Sequence, residues 1–432
     1  MKKESFIKST IILIIGGFLT KILGMIIKII MSRLMGSEGI GLYMLVLPTF
    51  SLLIGICQFG IPTALSKLIA EDSKNNKKLL FSLLPISLII NIIIISFVIL
   101  MAPTLAFNFL HEKRALLPIL AILVVLPLTS TSSILRSYFF GKQMMLPHVV
   151  SNVLEDIIRL ILVTIGIPIF INKGLEVAVT FVILTNIISE LSSILILFFF
   201  LPKNLTIKKK DLTFNKNYAK EAMNISIPST ASRLVGSIGY FLEPIILTST
   251  LTYCGYNSNF IVTEYGIISG FVLPLILLPS FFTLAISQAL LPVISKATSS
   301  KEYSYARKKI KQGIFISLLI GVPASLALAL FPEFFLKIIY NTKEGASYMR
   351  LLAPICILQY IQAPLSASLD AMGLTKLGLK ATVIGTLIRT ILLLLFSLLK
   401  IGMWGLILST SINVVFTTFY NLYQVKTSLK NN

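Results

Sequence analysis

Residues 79–101 read LLFSLLPISLIINIIIISFVILM and contain no charged side chain. An α-helix rises about 1.5 Å per residue, so roughly 20 apolar residues are enough to cross the hydrocarbon core of a membrane. The stretch therefore predicts a transmembrane helix.

Similar apolar stretches recur along the whole chain. Hydrophobic residues make up 56% of the sequence and charged residues 13%, far below the roughly 25% of soluble domains. The composition therefore predicts an all-α membrane protein with about twelve transmembrane helices. We place these spans near residues 7–32, 40–66, 79–101, 115–136, 147–171, 177–201, 220–250, 261–293, 312–339, 346–369, 377–399 and 402–424.

The basic residues are unevenly distributed between the predicted spans. The net charge is +21, which in a soluble protein would suggest a nucleic-acid partner. Here the cations cluster in alternate loops, as the positive-inside rule describes, and no nucleic-acid-binding motif accompanies them. We therefore expect no nucleic-acid partner, and an N-terminus and C-terminus that are both cytoplasmic. In this scheme Arg136 and Lys142 belong to a cytoplasmic loop after the fourth span.

The largest basic loop divides the sequence into two halves. It predicts an N-terminal six-helix lobe at 1–201, a cytoplasmic basic linker at 202–219 and a C-terminal six-helix lobe at 220–432. An even number of spans in each half permits parallel repeats related by an axis along the membrane normal. Short similarities support this, because KILG at 21–24 resembles RLVG at 233–236.

Charged residues inside spans are costly unless they face a cavity or a partner, so they are candidates for function. Lys21 and Lys28 lie seven residues apart in the first span and share one face of a helix. Arg233 occupies the corresponding place in the seventh span. Together they predict a basic, substrate-binding cleft that attracts a phosphate or diphosphate. The alternative for Lys28 is that its ammonium group reaches the membrane interface.

A second group predicts gating or ion coupling. Glu155, Asp156 and Arg159 are spaced to form ion pairs within one helix, so a purely structural pairing is the alternative. Glu243 is added to this group as an isolated charge within a span, and Glu190 and Arg389 are isolated in the same way.

Two prolines of the eighth span, Pro274 and Pro279, are the hinge candidates, although proline is generally tolerated in membrane helices. The remaining residue types point away from catalysis. The two histidines and three cysteines form no metal-ligand spacing, and no nucleophile elbow or phosphate-binding loop is present. We expect no enzyme activity, no cofactor and no metal site.

Several motifs together resemble one family. They are SRLMGSEGIGLY at 32–43, GIPTALSKLIAE at 60–71, LRSYFFG at 135–141, MLP at 145–147 and AMGLTK at 371–376. With KILG at 21–24, they are similar to the stage V sporulation protein B group of polysaccharide-biosynthesis transporters. That group shares a superfamily with MATE multidrug exporters, O-antigen flippases and the lipid II flippase.

The resemblance implies a MATE-like pair of six-helix lobes and transport by alternating access. It also implies a polyprenyl-diphosphate-linked sugar as the cargo, with a role in spore cortex peptidoglycan. Lipid II flippases carry cations in a central cleft, and Lys21, Lys28 and Arg233 match them by type and place. Longer relatives have two further spans that form a groove for the lipid tail, whereas this sequence ends soon after the twelfth.

The leading interpretation is a cell-membrane flippase that contacts membrane lipid and a lipid-linked sugar diphosphate as a monomer. Either the membrane potential or a gradient of Na⁺ or H⁺ can reset it. The alternative is an ion-coupled MATE-type exporter of small amphipathic molecules, for which an acidic cleft would be the discriminating feature. A non-transporting scaffold is a third alternative, and large soluble domains would indicate it.

Overall fold

The computed structural model describes residues 6–71, 76–201 and 215–429, where every regular secondary-structure element is a helix. This confirms the all-α prediction. The helices of residues 6–200 are α1 (Phe6–Gln58), α2 (Ile61–Ala70), α3 (Asn76–Thr104), α4 (Leu116–Gly141), α5 (Met145–Phe170) and α6 (Leu175–Phe200).

Nine further helices follow. They are α7 (Lys216–Tyr253), α8 (Ser258–Gly266), α9 (Leu273–Ile276), α10 (Ser280–Ser299), α11 (Tyr303–Leu330), α12 (Pro332–Tyr340), α13 (Ala346–Ala371), α14 (Thr375–Leu398) and α15 (Trp404–Ser428). Two π-helical segments, Leu105–Phe109 and Ile267–Val272, continue α3 and join α8 to α9.

Eleven helical stretches of the described residues are long and apolar enough to cross a membrane. The first of these, Ile11–Gln58, covers most of the first two predicted spans, and the second span continues past it into α2. The predicted span 261–293 corresponds to two stretches, Ser258–Ile276 and Ser280–Ser299. Helix α5 is 26 residues long but carries Glu155, Asp156 and Arg159. The fold therefore agrees with a transporter of about twelve spans.

Two predicted boundaries were wrong. The fourth span does not end at Arg136, because α4 continues through Tyr138, Phe139 and Phe140 to Gly141. The ninth span does not run over 312–339, because α11 begins at Tyr303 and ends at Leu330, before Pro332 begins α12. Proline has no backbone N–H and clashes with the preceding turn, so it ends the longer helix.

Helix α1 bends at Gly36, where φ is 70° and ψ is −174°. A second break separates α1 from α2, since Phe59 and Gly60 both have positive φ, 45° and 59°. A side chain could not replace the hydrogen of Gly60, because a Cβ there would lie 2.5 Å from the carbonyl oxygen of Ser226 on α7. The break therefore lies where the backbone at Gly60 closely approaches the backbone of α7.

Two compact units divide the chain at Phe241 and Leu242, inside α7. Most of the predicted linker, residues 202–214, lies outside the described residues, so the lobe division at 202–219 stays a prediction.

In the first unit, α2 is the centre of an apolar core. Ile61, Leu65, Leu68 and Ile69 pack against α3, α4 and the first turns of α7. By contrast, α3 presents a long apolar face outward, with Leu100 78% exposed. Such a face is suited to lipid.

In the second unit, α13 packs against α10, α11 and α15. Its core joins Leu365 and Leu369 of α13 to residues such as Ile294 of α10 and Ile310 of α11. The eighth span is broken over residues 277–279, between α9 and α10. The Tyr360 hydroxyl of α13 donates to the carbonyl oxygen of Ile276 (2.5 Å) and so satisfies a backbone group at this break.

The same type of helix ending follows α4, α7, α10 and α13. After α4, the N–H of Met144 donates to the carbonyl oxygen of Phe139 (3.0 Å), and Gln143 has a φ of 56°. After α13, the N–H of Leu374 donates to the carbonyl oxygen of Leu369 (2.8 Å), and Gly373 has a φ of 75°. This hydrogen bond, with a left-handed residue before its donor, is the Schellman helix ending.

Candidate functional site

The two lysines predicted to bind substrate lie in α1 before the bend at Gly36. Lys21 is exposed and Lys28 is half-buried, and their ammonium groups are close enough to repel each other. Two like charges on one helix face are destabilising unless an anion or water compensates them. The pair is therefore suited to bind a group that carries more than one negative charge.

The third predicted cation, Arg233, contacts a different part of α1. Its Nη2 donates long hydrogen bonds to the carbonyl oxygen of Gly55 (3.4 Å) and to Oε1 of Gln58 (3.3 Å). The last carbonyl groups of a helix have no partner within it, and here the helix ends at Gln58. The structure thus places Arg233 at the break between α1 and α2, beyond the bend that separates it from Lys21 and Lys28.

A stripe of α7 faces this break. Ser226 and Thr230 lie against Gly60, and Leu234 and Ser237 lie closest to Gly55. Successive members are four, four and three residues apart, which keeps them on one helix face. Small residues allow close helix approach in a membrane, so this face positions Arg233 at the end of α1.

Glu155, Asp156 and Arg159 form the ion pairs that their spacing predicted. The Nη2 of Arg159 is 2.6 Å from Oε1 of Glu155, and its Nη1 is 3.7 Å from Oδ1 of Asp156. Glu155 is buried and 7% exposed. Arg159 thus pairs with both carboxylates on its own helix, α5.

The sequence did not predict how these residues connect to neighbouring helices. Arg136 of α4 forms an ion pair with Glu155 and another with Glu190 of α6, the latter at 3.3 Å. It also donates to Ser193 (2.7 Å), while Ser132 donates to Glu190 (2.5 Å). Arg136 was predicted to lie in a loop, and Glu190 to be isolated. The apolar residues 138–140 after Arg136 were the signal that it lies inside a helix.

We call Arg136, Glu155, Asp156, Arg159 and Glu190 the ion network. It joins α4, α5 and α6, and with every member ionised it carries three negative and two positive charges. Because ion pairs in a membrane interior are costly to separate, the network resists movement of these helices.

Adjacent serines of α4 contact the ion network and the break in the second span. Gln58 donates from Nε2 to the hydroxyl of Ser133 on α4 (2.7 Å) and accepts from Arg233. Ser133 is the neighbour of Ser132, which donates to Glu190. Nearby, Asn91 of α3 donates to the carbonyl oxygen of Cys57 (3.4 Å) and to Ser130 (3.2 Å). Two carbonyl groups at the end of α1 are thus bound by α3 and α7.

In the second unit, Glu243 is not isolated. It forms an ion pair with Arg389 of α14 and accepts a hydrogen bond from Tyr265 of α8 (3.2 Å). Arg389 also donates to Thr410 of α15 (3.3 Å). The pair therefore joins α7, α8, α14 and α15, and Glu243 itself is 5% exposed.

The two hinge candidates lie at helix ends. Pro274 is in the first turn of the four-residue helix α9, and Pro279 directly precedes α10. With the π-helical segment before them, they interrupt the regular backbone of the eighth span. Whether the chain bends there during transport stays a prediction.

Among residues 6–71, 76–201 and 215–429, no group of three or more His, Cys, Asp or Glu side chains is arranged to hold a metal ion. The charged groups described above instead bind one another, the backbone and solvent. Broken spans and buried ion pairs in a bundle of membrane helices are features of multi-span transporters.

Comparison with known proteins agrees with this class. Residues 6–298 match the family described as polysaccharide biosynthesis protein, and residues 237–395 match the MatE family. Stage V sporulation protein B of Bacillus subtilis is 35% identical over 97% of this chain and 83% of its own length. The lipid II flippase MurJ of the same organism is 23% identical over 98% of this chain and 83% of its own length.

The fold is also similar to solved structures. The inward-facing conformation of a multidrug resistance MATE family transporter matches with a TM-score of 0.76 over 96% of both chains, at 17% identity. Taken together, the fold and the matches show a multi-pass membrane transporter. The chain belongs to the polysaccharide biosynthesis protein family, and the resemblance to the stage V sporulation protein B group is confirmed.

Proposed function

We propose that this protein moves a polyprenyl-diphosphate-linked cell-wall or polysaccharide precursor across the cell membrane by alternating access. The cargo is a lipid II-like molecule. This precursor is used to build spore cortex peptidoglycan. The proposal rests chiefly on one observation, the pair of neighbouring lysines on α1, in a chain that belongs to the polysaccharide biosynthesis protein family.

The chemistry of the pair favours a diphosphate. Lys21 and Lys28 each contribute three hydrogen-bond donors and a full positive charge, and their mutual repulsion is relieved by an anion between them. A diphosphate offers several charged oxygens within the reach of both. The lipid tail can remain in the bilayer while the polar head crosses, so no covalent step is needed.

In the proposed cycle, both termini are cytoplasmic and the protein acts as a monomer. The site is open to the cytoplasm when it captures the diphosphate headgroup, and it then opens to the other side to release it. Arg233 covers the end of α1 in one state and moves to the diphosphate in another. Its hydrogen bonds of 3.3 and 3.4 Å are long, so they are exchanged at low cost.

Gating and coupling are assigned to Glu155, Asp156 and Arg159, and to Glu243 in the second unit. The ion network has one carboxylate more than its arginines neutralise, so binding of H⁺ or Na⁺ would balance its charge. The membrane potential is an alternative source of energy, because moving one charge through 100 mV is worth about 2.3 kcal/mol.

A second candidate is an ion-coupled exporter of small amphipathic molecules. The MatE match at residues 237–395 and the TM-score of 0.76 to a multidrug MATE transporter favour it. An exporter of organic cations needs an unpaired carboxylate in its binding site. The carboxylates of the ion network are bound by arginines, which favours the flippase.

The first test is flipping of a fluorescent lipid II analogue in proteoliposomes. We expect the wild type to flip it and Lys21→Gln/Lys28→Gln to lose at least about tenfold in rate, because the diphosphate loses both charges. Lys21→Arg/Lys28→Arg keeps the charges and should retain most of the rate. Lys337→Gln, an exposed lysine on α12, is the matched control.

Equal rates in the wild type and the Lys21→Gln/Lys28→Gln variant would remove the lysine pair from the binding site. Failure of the wild type to flip the analogue, with or without an applied potential, would contradict lipid II as the cargo. Transport of a cationic dye by that same preparation would then support the exporter.

A further inference from the structure

A groove of about 450 Å³ lies between α10 and α13 in the second unit, and the function described so far does not use it. Its volume is in the range of small-molecule sites, about 300–1,000 Å³. The polar side chains that line it come from one face of each helix. The six that carry the argument are Thr283, Ser287, Gln288, Gln359, Gln362 and Asp370.

Two of these amides have no partner among the described residues. Gln288 and Gln359 make no side-chain hydrogen bond to the described residues, whereas Gln362 donates to the carbonyl oxygen of Val414 (3.1 Å) and to Thr418 (2.9 Å). Gln288 is exposed and Gln359 half-buried. Both therefore have a free carbonyl oxygen and a free NH₂ group to offer.

Such amides are unsuited to contact with lipid tails. A polar group that faces hydrocarbon without a hydrogen bond costs several kcal/mol, so uncompensated amides within a span face water or a polar ligand. Gln288, Gln359 and Asp370 lie within α10 and α13, which both belong to the membrane-spanning set. The groove therefore offers hydrogen-bonding groups between two membrane helices.

Its chemistry differs from that of the lysine pair. The residues lining the groove include no cation, and Asp370 would repel a phosphate, so the groove does not select for the diphosphate. Amide and hydroxyl groups both donate and accept hydrogen bonds, as sugar hydroxyl and acetamido groups do. Leu284 and Leu291 add apolar surface against which the C–H face of a sugar ring can pack.

We propose that this groove binds the sugar part of the lipid-linked substrate, with Gln288 and Gln359 as its hydrogen-bonding residues. The proposal rests on the proposed function, because it assigns the glycan, and not the diphosphate, to the second unit. In this proposal, uncharged contacts in the groove select the carbohydrate, while the lysines of α1 bind the charged diphosphate.

The test compares two ligands in nanodiscs: polyprenyl diphosphate without a sugar, and the same lipid carrying a disaccharide. Affinity for both is measured with the wild type, with Gln288→Met/Gln359→Met, and with Gln312→Met on α11 as the matched control outside the groove. Methionine keeps the length of the side chain and removes the amide. We expect the wild type to bind the disaccharide lipid more tightly than the bare lipid.

The double variant should lose about tenfold in affinity for the disaccharide lipid, the effect of two neutral hydrogen bonds, and nothing for the bare lipid. The unchanged bare-lipid affinity also shows that the variant is folded. Equal affinities of the wild type for the two lipids, or equal losses for both in the variant, would overturn the groove proposal and leave the flippase standing. A wild type that binds neither lipid would overturn both.

Discussion

Arg136 holds two carboxylates from two different helices, Glu155 of α5 and Glu190 of α6. Both carboxylates are buried, but Glu155 also pairs with Arg159, whereas Glu190 has its ion pair with Arg136. Removing one partner of a buried ion pair leaves an unpaired charge, which costs much more than the pair itself contributes.

Substitution Arg136→Gln should therefore lower the free energy of unfolding by roughly 3 kcal/mol. The change is measured as a lowered midpoint of thermal unfolding in detergent. Arg136→Gln/Glu190→Gln should recover part of the loss, since it removes the carboxylate that would be left without its arginine, while Glu155 keeps Arg159.

The matched control is Arg350→Gln, because Arg350 pairs with Glu333 where both side chains are about half exposed. Exposed pairs contribute only about 0–1 kcal/mol. An Arg136→Gln variant as stable as this control would contradict a stabilising role for the ion network.

At the scale of single residues, the sequence predicted only the ion pairs within one helix. Glu155 and Arg159 are four residues apart, and the helix repeat alone brings them together. Arg136 and Glu190, or Glu243 and Arg389, are far apart in sequence, and only helix packing brings them into contact. Their partners could not be predicted without the fold.

The second and eighth spans share an interruption of the helix. In the second span, the break at Phe59 and Gly60 frees carbonyl groups of α1 that Arg233 and Asn91 satisfy. In the eighth, residues 277–279 separate α9 from α10, and Tyr360 satisfies Ile276. Non-helical backbone is tolerated at membrane depth only where protein or water satisfies it, so these contacts maintain the breaks.

Gly60→Ala should be the more damaging of two substitutions that affect the bends of the first two spans. A Cβ at Gly60 meets backbone atoms of Ser226 in addition to the unfavourable φ, whereas one at Gly36 meets nothing within 4 Å. We expect Gly36→Ala to cost about 1–2 kcal/mol, from the backbone alone, and Gly60→Ala to cost more. Thermal unfolding of the two variants in detergent gives the comparison.

Gly24→Ala serves as the reference, because Gly24 lies in a regular part of α1 with open space around it. Alanine is the better helix former, so this variant should be at least as stable as the wild type. A Gly60→Ala variant as stable as Gly24→Ala would show that the close approach to Ser226 is not required.

At the scale of elements, hydropathy located the spans but not their interruptions. Residues 40–66 and 261–293 each read as one continuous apolar stretch, because a break of two or three residues scarcely changes the average. Pro274 and Pro279 did indicate the second break. The first depends on Gly60, and a glycine in an apolar stretch is too common to indicate one by itself.

The whole molecule has a predicted orientation that follows from its loops. The link between α10 and α11 contains Lys301 and is followed by the basic first turns of α11, so it should face the cytoplasm. The link between α5 and α6 contains Lys173 and should face the other side. Both lysines are exposed.

Cysteine labelling in intact cells tests this orientation. In a background that lacks the half-buried Cys254, Lys173→Cys should react with a membrane-impermeant maleimide, and Lys301→Cys should react only after the membrane is permeabilised. Cys57 and Cys356 are buried, so they should contribute little signal. The reverse pattern would invert the orientation and, with it, the direction in which the proposed cycle runs.

For the molecule as a whole, the sequence supported the all-helical class, the number of spans and the family. These properties depend on patterns that extend over many residues, so errors of a few residues at each boundary do not affect them. The contacts of Arg233 could not be predicted from the sequence, because they depend on where α1 ends. The groove between α10 and α13 was missed for a similar reason, since its amides become one surface only when the two helices pack.

The turns after α4 and α13 are each followed by a helix that carries an arginine. Arg159 lies as far beyond the first turn as Arg389 lies beyond the second, yet one binds acids on its own helix and the other binds Glu243 on α7. A duplicated six-span gene would account for this shared position, and the two arginines would have acquired different partners afterwards. After such an event each copy evolves under separate selection, and one half can specialise for charge while the other specialises for sugar.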